Sequence, residues 1–171
     1  MPNEQFPAVF LDRDGTLMRD VEYCGDPKQV EIFDGVWQAL RRLKNAGFKL
    51  IVITNQSGIG RGYFTEEDYR AVEAEVQRQL PMIDATYFCP HQPNDDCACR
   101  KPKPQMIFDA QSEHHLDLGR SFFIGDKPLD AECGRNAGVR TILVETGVDQ
   151  PNESSVANLP KATEMILGDA H

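Results

Sequence analysis

The sequence lacks any apolar run long enough to cross a membrane, and its first residues lack a cationic segment followed by an apolar one. A transmembrane helix needs about 20 apolar residues, and a secretory leader needs that cationic and apolar order. We therefore expect a cytoplasmic protein with no membrane partner.

Positive charge is also scarce, because 18 Lys and Arg residues stand against 27 Asp and Glu residues and give a formal net charge of -9. Nucleic-acid binding relies on a basic surface that neutralises phosphates. We expect no nucleic-acid partner for this chain.

The length leaves no room for a second catalytic domain. The chain has 171 residues, of which 40% are hydrophobic, and this is enough for one buried core. No segment repeats another. We expect a single domain over residues 1–171 that acts as a monomer.

Short apolar segments alternate with segments of helical periodicity. Continuous apolar runs predict buried parallel strands at residues 7–11, 48–53, 83–88, 121–124 and 141–144. Helical spacing predicts helices at 34–47, 65–80, 104–115 and 128–136, with Asp34 and Thr65 as caps. This alternation predicts a doubly wound parallel α/β sheet that binds its ligand at the carboxyl ends of the strands. The tail, residues 147–171, is predicted to pack as an edge element.

Two carboxylates follow the first predicted strand, Asp12 and Asp14, in the segment Asp-Arg-Asp-Gly-Thr. Carboxylates that share one site repel each other unless a cation joins them, and a hard divalent ion is the natural partner. Taken alone, the segment could equally be an ordinary polar turn.

Three further features make a phosphoryl-transfer site the better interpretation. Thr54 follows the second strand, Asp126 follows the fourth, and a cationic segment contains Lys101 and Lys103. A hydroxyl can bind a phosphoryl oxygen, a lysine can neutralise its charge, and Asp126 can complete an oxygen-rich magnesium shell. Spacing alone does not decide between Lys101 and Lys103, because each precedes a proline.

Three of the five cysteines lie within eleven residues, which favours a metal site over disulfides in a reducing compartment. Three thiolates and one imidazole would close a tetrahedral zinc site with no open position, as structural zinc ions require. The alternative is a group of buried or free thiols. The predicted zinc ligands are Cys89, His91, Cys97 and Cys99, while Cys24 and Cys133 are predicted to be free thiols.

Over roughly residues 8–147 the sequence resembles the haloacid dehalogenase superfamily of phosphotransferases. The resemblance rests on Asp12-Arg13-Asp14-Gly15-Thr16, Thr54-Asn55, Lys101-Pro102 and Gly125-Asp126. It implies that Asp12 is the nucleophile and becomes an aspartyl-phosphate, and that Asp14 protonates the leaving oxygen and then activates water. It further implies that Thr54 and Lys101 hold the phosphoryl oxygens. Magnesium would be bound by the Asp12 side chain, the Asp14 backbone carbonyl and Asp126.

With the zinc loop, the chain is similar to the subgroup of heptose bisphosphate phosphatases and histidinol-phosphate phosphatases. The heptose enzymes are favoured by the segments at residues 54–62 and 33–36, and histidinol phosphate remains the alternative substrate. This resemblance implies a small phosphorylated metabolite as partner, in carbohydrate metabolism that supplies lipopolysaccharide or S-layer glycans. It implies an open crevice without a large cap domain, because no large insertion follows strand one or three. The implied substrate contacts are Asp20, Tyr23, Asn55, Gln56, Ser57 and Arg100.

The sequence argues against two other functions. The Gly-rich segment after Thr54 also resembles polynucleotide 3'-phosphatases, but the net charge of -9 and the zinc loop argue against such a substrate. A binding module without turnover would lack a nucleophile or an acid, yet Asp12 and Asp14 are both present.

Overall fold

The computed structural model describes residues 3–146 and 155–169. Within them, six strands form one parallel sheet in the order β3-β2-β1-β4-β5-β6. The strands are β1 (Ala8–Leu11), β2 (Lys49–Asn55), β3 (Ala85–Cys89), β4 (Phe122–Gly125), β5 (Arg140–Val144) and β6 (Ser155–Val156). The helices are α1 (Val36–Asn45), α2 (Ser57–Gly60), α3 (Glu66–Gln79), α4 (Gln105–His114), α5 (Pro128–Ala137) and α6 (Leu159–Asp169). The predicted doubly wound parallel α/β sheet is confirmed.

The central strands are buried on both faces, which is why they read as continuous apolar runs. In β1, Val9 and Leu11 pack into the core on one face of the sheet, whereas Ala8 and Phe10 pack into the core on the other. The strand order reverses direction between β1 and β4. Ligand crevices of doubly wound sheets form at this switch point, and Asp12 and Asp126 follow the two strands there.

The two predicted helix caps had different outcomes. Thr65 caps α3, since its hydroxyl accepts from the Asp68 N–H at 3.0 Å and the Asp68 carboxylate accepts from the Thr65 N–H at 2.9 Å. The prediction for Asp34 is wrong, because the N-cap of α1 is Gly35 and no side chain caps that end. Gly35 has a φ of 81°, a left-handed conformation that glycine adopts without steric cost.

The tail supplies β6, which pairs with β5 at the sheet edge, and α6, which packs against α1. This agrees with the predicted edge element, although residues 147–154 of that prediction lie outside the described residues. No helix in the described ranges combines the length and the apolar character that crossing a bilayer requires.

Candidate active site

A cavity of about 520 Å³ opens at the carboxyl ends of the strands. Its lining contains every predicted catalytic and substrate-binding residue except Thr54. Thr54 and the predicted metal ligand Asp126 are buried and lie outside the lining. The lining residues are Asp12, Asp14, Asp20, Glu22, Tyr23, Asn55, Gln56, Ser57, Gly58, Arg100, Lys101, Lys127, Leu129 and Asp130.

A buried lysine links two buried carboxylates at the base of the cavity. The Nζ atom of Lys101 donates to Asp12 Oδ1 at 2.9 Å, to Asp130 Oδ1 at 2.7 Å and to the Ile53 carbonyl at 2.9 Å. All three donors of the ammonium group are therefore used, as a buried lysine requires. Lys103, the alternative that the spacing left open, is half exposed and contacts Asp96 and the Cys97 carbonyl.

Asn55 at the end of β2 holds Lys101 in this place. The Lys101 N–H donates to Asn55 Oδ1 at 3.0 Å, and Asn55 Nδ2 donates to the Lys101 carbonyl at 3.3 Å. The paired hydrogen bonds fix the loop after β3 to the neighbouring strand, so the position of the ammonium group depends on both.

The charges at this site shift each other's protonation. Burial would raise the pKa of Asp12, but the Lys101 ammonium and then Lys127 hold it below its ordinary value. Burial would lower the pKa of Lys101, but Asp12 and Asp130 raise it. Burial and the charge of Asp12 raise the pKa of Asp126 to about 8. Asp12 is therefore ionised, and the two ammonium groups of Lys101 and Lys127 face three carboxyl groups.

Three carboxylates converge at this point, with oxygen atoms of Asp12, Asp126 and Asp130 within 4.8 Å of one another. Asp126 Oδ2 is buried and has no hydrogen-bond partner among the described residues. A Cβ atom on Gly15, which has a φ of +86°, would lie 2.2 Å from that oxygen, so glycine leaves the space beside it open. An orphaned carboxylate oxygen beside other carboxylates fits a divalent cation that prefers oxygen ligands, such as Mg²⁺.

The carboxylate of Asp14 lies apart from this cluster. Arg13 donates to it through Nε at 3.2 Å and Nη2 at 3.1 Å, and Gln56 Nε2 donates to Asp14 Oδ2 at 3.0 Å. The expectation that the side chains of Asp12 and Asp14 share one cation is therefore not met, since buried Arg13 supplies the positive charge that Asp14 meets. The resemblance implies that Asp14 binds the metal through its backbone carbonyl and not through its side chain.

Asp130 and Lys127 are among the cavity-lining residues that were missed from the sequence. Asp130 enters from the first turn of α5, and its only signal was its place four residues after Asp126 at the start of a predicted helix. The Lys127 ammonium lies 3.8 Å from Asp20 and 3.6 Å from Asp126. Beside the cavity, the ring of Tyr63 packs edge-on against the ring of Tyr23, which lines the cavity, with 4.8 Å between the ring centroids. The Arg61 guanidinium lies over the Tyr23 ring. No sequence spacing predicts this group of three side chains.

The cysteine-rich loop also converges. The Cys89 Sγ atom is 3.4 Å from His91 Nδ1 and 3.6 Å from Cys97 Sγ, and Cys99 Sγ is 3.3 Å from the same imidazole nitrogen. Burial would raise the pKa of the Cys97 thiol, but hydrogen bonds from the Arg100 N–H and neighbouring thiols lower it to about 7. A thiol that ionises this easily, among three other soft ligands, fits a zinc site.

Comparison with known proteins agrees with this architecture. Residues 98–168 match a family model described as HAD-hydrolase-like. The D-glycero-beta-D-manno-heptose-1,7-bisphosphate 7-phosphatase of Helicobacter pylori strain J99 is 44% identical over 164 residues, which cover 93% of this chain and 94% of that protein. The enzyme of the same name from Escherichia coli K12 is 39% identical over 177 residues, covering 91% and 93%.

A similar solved structure is that of the D,D-heptose 1,7-bisphosphate phosphatase from B. bronchiseptica, complexed with magnesium and phosphate. It superposes with a TM-score of 0.85 at 32% identity, over 95% of this chain and 99% of that one. Sequence and structure agree over nearly the full length of both chains. The chain therefore belongs to the heptose-1,7-bisphosphate 7-phosphatase family of haloacid dehalogenase-like hydrolases.

Proposed function

We propose that this chain is a magnesium-dependent phosphatase that removes the 7-phosphate of D-glycero-D-manno-heptose 1,7-bisphosphate through an aspartyl-phosphate on Asp12. The observation that carries the proposal is the carboxylate of Asp12, which is paired with Lys101 at the base of an open polar cavity. Relatives that are about 40% identical to this chain in sequence are named for this activity.

Asp12 is suited to attack phosphorus because its environment keeps it charged. Lys101 holds one of its oxygens, and the same ammonium would offset charge on the phosphoryl group during in-line transfer. When bound among Asp12, Asp126 and the Asp14 carbonyl, Mg²⁺ would neutralise charge on the phosphoryl oxygens.

The two steps divide among neighbouring side chains. In the first, an oxygen of the Asp12 carboxylate bonds to phosphorus as the bond from phosphorus to the leaving sugar oxygen breaks, and Asp14 gives that leaving oxygen a proton. In the second, Asp14 takes a proton from water, whose oxygen attacks the phosphorus and releases Asp12 as a carboxylate. Thr54 accepts a hydrogen bond from Gln56 at 2.9 Å, so its own hydrogen is available to donate to a phosphoryl oxygen.

A sugar phosphate fits the shape and chemistry of the cavity. Its rim carries Asp20, Tyr23 and Arg100, which can bind hydroxyl groups and a second phosphate, while Asn55, Gln56 and Ser57 line the phosphate end. The described residues contain no cap domain over the opening, so selectivity falls to these few contacts. Histidinol phosphate offers a single phosphate and an imidazole, and the named relatives favour the heptose substrate over it.

We also propose that Cys89, His91, Cys97 and Cys99 bind a structural zinc ion. The loop that carries them ends in Arg100 and Lys101, and Arg100 Nη1 donates to the His91 carbonyl at 3.2 Å. Zinc would hold the loop in shape and thereby fix the two cations over the phosphate site.

A substrate panel tests the assignment. We expect kcat/KM for heptose 1,7-bisphosphate to exceed that for histidinol phosphate by at least about 10-fold, because the cavity rim offers polar contacts to hydroxyl groups and to a second phosphate. The measurement is phosphate release from each compound with Mg²⁺ present, and a preference for histidinol phosphate would reject the proposed substrate.

Replacement of the nucleophile should abolish turnover. Asp12→Asn keeps the volume but removes the charge that attacks phosphorus, so kcat should fall by more than about 10³-fold. Asp109→Asn, on the exposed face of α4, is the matched control and should keep wild-type kcat. Near-wild-type turnover of Asp12→Asn with an unchanged circular dichroism spectrum would contradict the assigned role.

Magnesium dependence should pass through Asp126. Chelation of divalent ions should stop turnover and added Mg²⁺ should restore it. Asp126→Asn replaces a carboxyl group that can bind Mg²⁺ as an anion by a neutral amide, so half-maximal activity should need about 10- to 100-fold more Mg²⁺. A magnesium titration of kcat measures this, with Asp109→Asn again as control, and an unchanged titration midpoint would count against the metal site.

Zinc content tests the cysteine cluster. We expect about one zinc ion per chain by elemental analysis. Cys97→Ser should lose most of the zinc and raise KM, because Arg100 and Lys101 lose their support. Cys24→Ser changes a buried cysteine outside the cluster and should keep the zinc. A wild-type protein without zinc would overturn this proposal.

A further inference from the structure

The acid-base carboxylate of Asp14 is held from two sides, by Gln56 and by Arg13, and Arg13 has no role so far. Arg13 forms a forked contact with Asp14, with Nη2 lying 3.1 Å from both Oδ1 and Oδ2 and Nε 3.2 Å from Oδ1. From the other side, Gln56 Nε2 donates to Oδ2 at 3.0 Å. Between them, these contacts fix both oxygens of the carboxylate.

The side chain of Arg13 is only 1% exposed, and such deep burial is rare for an arginine. It packs against the Tyr69 ring, with the guanidinium carbon 5.9 Å from the ring centroid. Its carbonyl accepts from the N–H groups of residues 16, 17 and 18, so its backbone is also fixed. Burying a guanidinium group is costly unless it is paired, and Asp14 is its hydrogen-bonding partner among the described residues.

Gln56 connects the acid-base group to the phosphate site. Its amide nitrogen has two hydrogens, and these go to Asp14 Oδ2 at 3.0 Å and to Thr54 Oγ1 at 2.9 Å. Gln56 is itself buried, and its N–H donates to the Cys89 carbonyl at 2.7 Å. The orientation of Asp14 is thus tied to the strand ends that carry Thr54 and Cys89.

We propose that Arg13 is a positioning residue for Asp14: its buried fork, opposite Gln56, fixes the direction of the carboxyl group that serves the leaving oxygen. The inference rests on the proposed function. Charge-assisted, bidentate pairs of this kind give both energy and geometry.

A purely structural role for Arg13 predicts something different. If Arg13 only packed against Tyr69, its replacement would disturb the hydrolysis of every phosphate ester by a similar factor. If it positions the acid, its replacement should harm only those substrates whose leaving group needs a proton. The value of kcat/KM isolates this step, because it reports events up to departure of the leaving group.

The experiment compares Arg13→Met with wild type on two substrates at saturating Mg²⁺. With heptose 1,7-bisphosphate, whose leaving alkoxide needs a proton, kcat/KM should fall by about 10²-fold. With 4-nitrophenyl phosphate, whose phenolate leaves unprotonated at neutral pH, kcat/KM should fall by less than about 3-fold. Asp14→Asn serves as the reference and should show the same selectivity to a larger degree. Equal losses on both substrates would overturn the proposal.

Arg13→Lys covers the case in which Arg13→Met does not fold, as judged by circular dichroism. Lysine keeps the buried charge but replaces the planar fork by a point donor, so a smaller loss confined to the heptose substrate is expected. Equal losses on both substrates in Arg13→Lys would again reject the positioning role. If wild type prefers another alkyl phosphate, the proposed substrate fails, while the same comparison on that ester still tests Arg13.

Discussion

The site depends on the repulsion among carboxylates that the fold brings together. Asp12, Asp126 and Asp130 are each at most 5% exposed, and they meet around a single buried ammonium group, that of Lys101. Lys101 pairs with Asp12 and Asp130, while burial and the charge of Asp12 raise the pKa of Asp126. The Asp126 Oδ2 atom has no hydrogen-bond partner among the described residues and lies 3.6 Å from the Lys127 ammonium. A dication bound here would relieve the repulsion among the carboxylates, so the proposed catalysis and metal binding would share one electrostatic cause.

The position of Lys101 joins the two candidate metal sites. Its ammonium group must reach the carboxylates at the base of the cavity, yet its loop contains the zinc-type ligands, and three of these, His91, Cys97 and Cys99, are only half-buried. Hydrogen bonds to Asn55 hold the end of this loop against β2. Metal coordination would supply the order that hydrophobic burial does not, and it would act together with Asn55 to hold Lys101 in place.

Much of the fold and site could be predicted because parallel strands all end at one edge of their sheet. Thr54 and Asp126 were found this way, since each follows an apolar run, and the cysteine cluster was found from its spacing. Asp130 was missed because it enters from the first turn of a helix, where an acidic residue is usually a cap. The cap at Asp34 was wrong because the backbone turns through Gly35 with a positive φ, which residue type alone does not reveal.

The side-chain direction of Asp14 is the part of the site that sequence could least supply. Asp12 and Asp14 are two residues apart, and identical chemistry led to the expectation of a shared cation. In the folded chain each carboxylate has a different cation: Asp12 meets the ammonium of Lys101, which also serves Asp130, and Asp14 meets the guanidinium of Arg13. Lysine is a compact charge that several acceptors can share, whereas the planar fork of arginine matches one carboxylate.

This difference assigns the two carboxylates to different tasks. A nucleophile must remain charged beside the phosphoryl group, and the shared ammonium and a metal ion provide that environment for Asp12. An acid-base group must stay directed at the leaving oxygen, and a bidentate partner that matches one carboxylate would fix that direction. In the proposed mechanism, two identical side chains would thus become nucleophile and proton carrier because the fold gives them different counter-ions, which is how paired carboxylates in enzymes acquire separate roles.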